Sequence, residues 1–210
     1  MTTTVRPSSQ RKHAAILAAA EEIFLRDAYL AANMDELSTL AGVSKQTVYK
    51  HFGSKEALFV ELVSSMTTIA GDAVHRDEIP DPPDVAALGD FLQAYADRQL
   101  AIVLTPRLLK LRRLVIGEVG RFPDLARVLW ERGPERAMSS LAMRFERLAR
   151  AGMLRVDDPR VAAEHFNWLA MSGPLNAAML LGDEVVPDAA GLRRHCAEAV
   201  RIFLAAYGTG

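Results

Sequence analysis

Between Lys45 and Phe52 the chain reads KQTVYKHF, a stretch with no acid and only two apolar side chains, Val48 and Phe52. On a helix turning about 100° per residue, those two share one face. Lys50 lies opposite them with Gln46 and Thr47 beside it, and Tyr49 and His51 fall on the flanks, about 80° from the apolar centre. The outward crest offers amide, hydroxyl and ammonium groups able to reach base edges. The flanks offer a phenol and an imidazole suited to phosphate oxygens on two opposing walls. A helix of this width in the DNA major groove would use all of these positions. Lys55 stands in the first turn of the next helix, where backbone N–H groups also attract phosphate. Solvation alone explains any one of these residues, but an acid-free set at this spacing asks for more.

The elements that must position this helix are legible in the flanking residues. Asn33 is an N-cap with Glu36 three residues on, the spacing of a capping box. Leu37, Leu40 and Ala41 give the helix that follows one apolar face, and Gly42 ends it where a left-handed residue is wanted. Ser44 caps the KQTVYKHF helix, Gly53 ends it, and Ser54 caps a fourth helix beginning KEALFVELV. Upstream, Ile16, Ala20, Ile23 and Phe24 recur at helical spacing between Gln10 and Asp27. Residues 1–9 read as a polar tail. A capped helix, a glycine turn and a second capped helix with such a crest is the arrangement of a helix-turn-helix reader, with the motif at about 33–52 in a domain of residues 10–70.

The segment Arg76–Asp84, RDEIPDPPD, is the clearest break, with three prolines and four acids. Helical runs follow near 85–104, 107–119, 124–151, 159–181 and 188–206, punctuated by Pro106, Pro123, Gly152, Pro159, Gly182 and Pro187. Gly133-Pro134 and Gly173-Pro174 fall inside runs and predict kinks. With no strand alternation, the fold class is all-α. A three-helix head precedes a larger helical body, residues 71–210, expected to bind a ligand and to dimerise.

Composition is that of an ordinary globular protein, 50% hydrophobic and 24% charged, with a formal net charge of −1. Through Lys55 there are 7 Lys/Arg against 5 Asp/Glu, leaving 18 against 21 of the totals of 25 and 26, so the positive excess lies in the first quarter. The single Cys196 cannot form an internal disulfide, which points to a reducing cytoplasm. No signal peptide and no uninterrupted apolar run of membrane-spanning length is evident, so no membrane is expected as a partner. The 5 histidines lack metal spacing, and neither a Gly-rich phosphate loop nor Gly-x-Ser-x-Gly occurs. His195 and Cys196, adjacent on a helix, diverge. No catalytic residue, metal or cofactor is expected.

In the body, Phe91, Tyr95, Trp130, Phe145, His165, Phe166, Trp168 and Met171, with Met179, could line a pocket, although core packing accounts for each one singly. Arg112, Arg113 and Glu118 are exposed by default. The run 159–181 is apolar nearly all round and needs cover on more than one side. Trp168, Ser172, Leu175 and Met179 form one stripe, and the last helix adds His195, Ala199, Ile202, Phe203 and Ala206. These are expected to form a homodimer interface.

The segment MDELSTLAGVSKQTVYKHFGSKEALF resembles the N-terminal domain of the TetR family of transcriptional repressors. The Ala-Gly-Val-Ser turn, the Tyr-x-x-Phe pair and the Ser-Lys-Glu start coincide in register over about Gln10–Met66. Ala28 departs from the Gly common after the family's first helix. LWERGPERAMSSL and GMLRVDDPRVAAEHF resemble the AefR-like branch. The resemblance implies base or phosphate contacts at Lys45, Gln46 and Thr47, and phosphate contacts at Tyr49, His51 and Lys55. It also implies a palindromic double-stranded operator, a homodimer and a small-molecule inducer. The competing readings are a helical ligand-binding or adaptor protein that does not touch DNA, which leaves Lys45–Lys55 unexplained, and an enzyme.

Overall fold

The computed structural model describes residues 7–75 and 80–209. Among these, ten α-helices run in the order α1 (Pro7–Ala31), α2 (Met34–Leu40), α3 (Lys45–Phe52), α4 (Lys55–His75), α5 (Leu88–Val103), α6 (Pro106–Gly117), α7 (Pro123–Trp130), α8 (Arg136–Arg150), α9 (Pro159–Leu181) and α10 (Ala189–Tyr207). A π-helical turn over Glu131–Glu135, containing Pro134, carries α7 into α8. Pro134 has no N–H to donate, and the wide turn is where the predicted kink falls. Among the described residues the only β pairing is an isolated bridge between Leu154 and Gly208.

The chain divides into two compact units. The first holds residues up to Thr67 together with Lys110–Leu129; the second holds Thr68–Leu109 and Trp130 onward. The segment 110–129, expected in the second domain, belongs with the first because Phe122 seats its ring at 4.7 Å from Tyr29 and 5.6 Å from Phe59.

In the first unit, Ile16, Ile23, Phe24, Leu37, Val48, Phe52, Leu58, Phe59 and Val63 are buried. Leu58, Phe59, Leu62, Val63 and Met66 put the first half of α4 into this core at helical spacing. Lys55–Val74 of α4 is the one helix among the described residues long and apolar enough to cross a membrane, by length and composition, and the burial of that face gives it a core role instead.

Helix α1 begins at Pro7, so Pro7–Ser9 are helical where a tail was expected; residues 1–6 of that tail, and 76–79 of the proline-rich break, lie outside the described residues. The helix breaks at Ala28, whose φ of 60° and ψ of 178° lie in a region that favours glycine.

The second unit packs α5, α8, α9 and α10 around Leu92, Leu100, Phe145, Phe166, Ala170, Cys196 and Phe203. Pro174 cannot donate to the Ala170 carbonyl one turn back in α9, and His195 Nε2 of α10 donates to that oxygen at 2.8 Å. His195 therefore carries its proton on Nε2 and fastens α10 to α9 inside the chain.

Candidate functional site

The helix-turn-helix is built as its caps dictate. Asn33 Oδ1 accepts from the backbone N–H of Asp35 at 2.8 Å and of Glu36 at 3.4 Å, which starts α2. The Glu36 carboxylate does not return to complete a capping box; it takes Arg26 Nη2 at 2.9 Å instead. Gly42 turns the chain at φ 64°, and the N–H of Val43 reaches back to the Ser38 carbonyl at 3.0 Å. Ser44 Oγ accepts from the N–H of Thr47 at 3.1 Å to start α3, and Gly53 ends it at φ 81°.

On α3, Val48 and Phe52 are buried and the other six residues are wholly or partly exposed. Phe52 stacks on His13 of α1 at 4.7 Å, and His13 Nε2 meets Glu61 of α4 at 2.7 Å, so α1, braced by α4, holds the inner face of α3. Gln46, Tyr49 and Lys50 are exposed. Lys45 donates to Asp35 Oδ2 at 3.0 Å, and the Thr47 hydroxyl lies 2.9 Å from Ser44 Oγ. His51 is half-buried, its ring 6.2 Å from that of His13.

Lys55 has a second role that sequence spacing does not reveal. Its Nζ donates to the carbonyls of Ala32 at 2.7 Å and Leu30 at 3.3 Å, and it lies 5.1 Å from the Tyr29 ring centroid. Partial burial pushes this ammonium below the ordinary lysine value. An ammonium has three donors, so one remains for a phosphate.

The candidate pocket residues separate into two groups. Phe91, Tyr95, Phe145, Phe166 and Met171 are brought together in the core of the second unit. Trp130, His165 and Trp168 are not: Trp130 is 45% and Trp168 39% exposed, and His165 pairs at the surface with the Tyr207 hydroxyl at 2.6 Å. Sequence reasoning missed Gln99 and Asn167. They are buried on α5 and α9, and Gln99 Nε2 donates to Asn167 Oδ1 at 2.9 Å. The available signal was Gln99 four residues after Tyr95, itself four after Phe91, on one face of α5.

The expected dimer surface also needs correction. Leu175, Ala199 and Phe203 are buried in the chain's own core, with Phe203 stacked on Phe145 at 5.0 Å, so none of them is available to a partner. Trp168, Ser172, Ile202 and Ala206 are exposed on α9 and α10, Met179 and His195 partly so. Arg112 is only partly exposed, and burial lowers its affinity for its proton. Cys196 is fully buried, its thiol pushed up to about 12 by burial and by a hydrogen bond with Asp97, and so is unreactive. Among the described residues no group of three His, Cys, Asp or Glu side chains could hold a metal.

An all-helical chain with a capped helix-turn-helix presenting an acid-free crest, followed by a separate helical unit, defines a helix-turn-helix regulator of the two-domain kind. Residues 16–62 match the model of bacterial regulatory proteins of the tetR family, and residues 90–209 match the AefR-like transcriptional repressor C-terminal domain. The chain belongs to the TetR family. A regulator assigned to that family from Mesorhizobium loti MAFF303099 is 37% identical over 97% of this chain and 100% of its own, with a TM-score of 0.86. The flavonoid-responsive regulator FrrA is 32% identical over 95% of this chain and 98% of its own, with a TM-score of 0.74. The transcriptional activator FasR of Mycolicibacterium smegmatis is 46% identical over 48 residues, 23% of this chain. That match spans 22% of FasR's own length.

Proposed function

We propose that this protein is a sequence-specific DNA-binding transcriptional regulator of the cytoplasm, a homodimer that leaves a palindromic operator when a small, mostly apolar molecule enters its second unit. The observation that carries the reading is the division of α3: Val48 and Phe52 are buried while Gln46, Tyr49 and Lys50 stand outward. Gln46 and Thr47 read base edges with Lys45, which leaves Asp35 for the DNA. Lys50, at the centre of the crest, reaches base edges with them, and Tyr49, His51 and the third donor of Lys55 position the phosphates. A single short helix reads few base pairs, so two related by a twofold axis are needed to select a site. Trp168, Ser172, Ile202 and Ala206 supply the face for that pairing. The aromatic residues of the second core, and the name of FrrA, support a flat aromatic molecule as the inducer class.

The test is a gel shift on the chain's own upstream region over a range of salt. A regulator gives a discrete complex whose affinity falls steeply with salt, beyond that for scrambled DNA. Equal affinity for both DNAs contradicts the reading.

A further inference from the structure

Among the described residues, the carbonyl oxygen of Gln99 is the one buried side-chain polar atom without a hydrogen-bond partner. Gln99 is 4% exposed and spends its amide N–H on Asn167, itself 3% exposed. One turn earlier on the same face of α5, Tyr95 is buried too, and its hydroxyl has only a long 3.4 Å bond to the Ala137 carbonyl. Burial pushes that phenol up to about 12, so it stays neutral and can donate or accept. The Phe166 ring stands 6.3 Å from that of Tyr95, and Asn167 sits between Ala163 and Ala170, whose side chains end at Cβ.

An unpaired amide oxygen in such a core is costly, and a leucine or methionine in its place would pack without that cost. We infer that Gln99, held by Asn167 and flanked by Tyr95, is the polar anchor of the ligand site, and that the ligand is a neutral aromatic molecule bearing a hydroxyl that donates to the Gln99 carbonyl. The inference rests on the second unit being a ligand site at all. Its chemistry follows from the groups present. The unmet need is for a donor, which selects a hydroxyl over an ether or a hydrocarbon. The neighbouring core side chains are aromatic and aliphatic, which selects a flat apolar body. Among the described residues the buried polar side chains of this unit are two amides and the Tyr95 phenol, none of them an ion, which selects an uncharged molecule.

The test uses 2-naphthol and 2-methoxynaphthalene as a matched pair, titrated calorimetrically into the full chain and into Gln99→Met and Gln99→Leu at neutral pH, with melting curves on all three proteins. The expected result is that the wild type prefers 2-naphthol by roughly 10- to 100-fold, the penalty for leaving a buried acceptor unmatched. Either folded variant should bind the two compounds equally. A wild type that binds both alike overturns the proposal, as does a folded variant that retains the preference, and in both cases the ligand-site reading survives. A variant that melts higher and keeps the preference marks the amide pair as a packing feature and overturns the proposal in the same way. A wild type that binds neither compound removes the ligand-site reading itself, and this inference with it.

Discussion

Lys55 Nζ lies 2.7 Å from the carbonyl oxygen of Ala32, across the turn that joins the end of α1 to α2. The first residue of α4 thus holds the chain just past Ala28, where the backbone takes a conformation costly for any residue with a Cβ. The same side chain that offers a donor to phosphate also secures the frame of the helix-turn-helix.

Ala28→Gly should stabilise the protein. Relief of ~1–3 kcal/mol of backbone strain exceeds the ~0.4–1 kcal/mol that glycine adds to the unfolded chain's entropy. A net gain near ~1 kcal/mol raises the melting temperature by ~2–4 °C in a chain of this size. A lower melting temperature would show that the break is not strained.

Gln46→Ala and Tyr49→Phe should separate in kind. Loss of a base contact costs ~1–3 kcal/mol and relaxes preference at one base pair per half-site. Loss of the Tyr49 hydroxyl weakens binding to every sequence alike. Identical specificity profiles for the two variants would contradict the division of roles on α3.

The helix caps and glycine turns around α3 are legible in the sequence because Asn33, Ser44, Gly42 and Gly53 act locally, within three or four residues of themselves. The faces of α9 and α10 are not. An apolar stripe states that it needs cover, not whether the cover is the chain's own core or a partner. Hence the stripes place Ala199 and Phe203 at a dimer interface although both are buried within the chain, and they offer Trp168 both roles. The packing of Phe122 and the second role of Lys55 stay hidden for a related reason, since their partners Tyr29, Leu30 and Ala32 lie more than twenty residues away. Gln99 escapes notice because a lone glutamine on a helix is ordinarily solvated.

Ile202→Glu should give a folded chain that sediments as a monomer and binds operator far more weakly, because Ile202 is 44% exposed. Ala199→Glu, at a site 3% exposed, should unfold the second unit instead, since it buries an unpaired charge. Sedimentation and circular dichroism on both variants distinguish the outcomes. A dimeric Ile202→Glu would move the interface elsewhere.

Acid should loosen the π turn. Arg160 Nη2 donates to Glu135 at 2.8 Å, and this contact, with Ser139, holds the Glu135 carboxyl down at about 2. The folded-state value is depressed, so the stability it contributes is fully present above the ordinary value of 4.5 and is lost as pH falls towards about 2. Glu135→Gln should therefore show a shallower decline in melting temperature over that window than the wild type. Parallel declines would mean that the half-buried pair contributes nothing measurable.

The central claim, that paired copies of α3 read a palindrome, is tested most directly by selecting duplexes bound by the full-length protein from random DNA. The account predicts one enriched site with two inverted half-sites whose centres lie ~34–36 Å, or a multiple of it, apart along the duplex. It also predicts that Gln46→Ala degrades the same base pair in each half. Enrichment of no motif, or of a site without twofold symmetry, would contradict it.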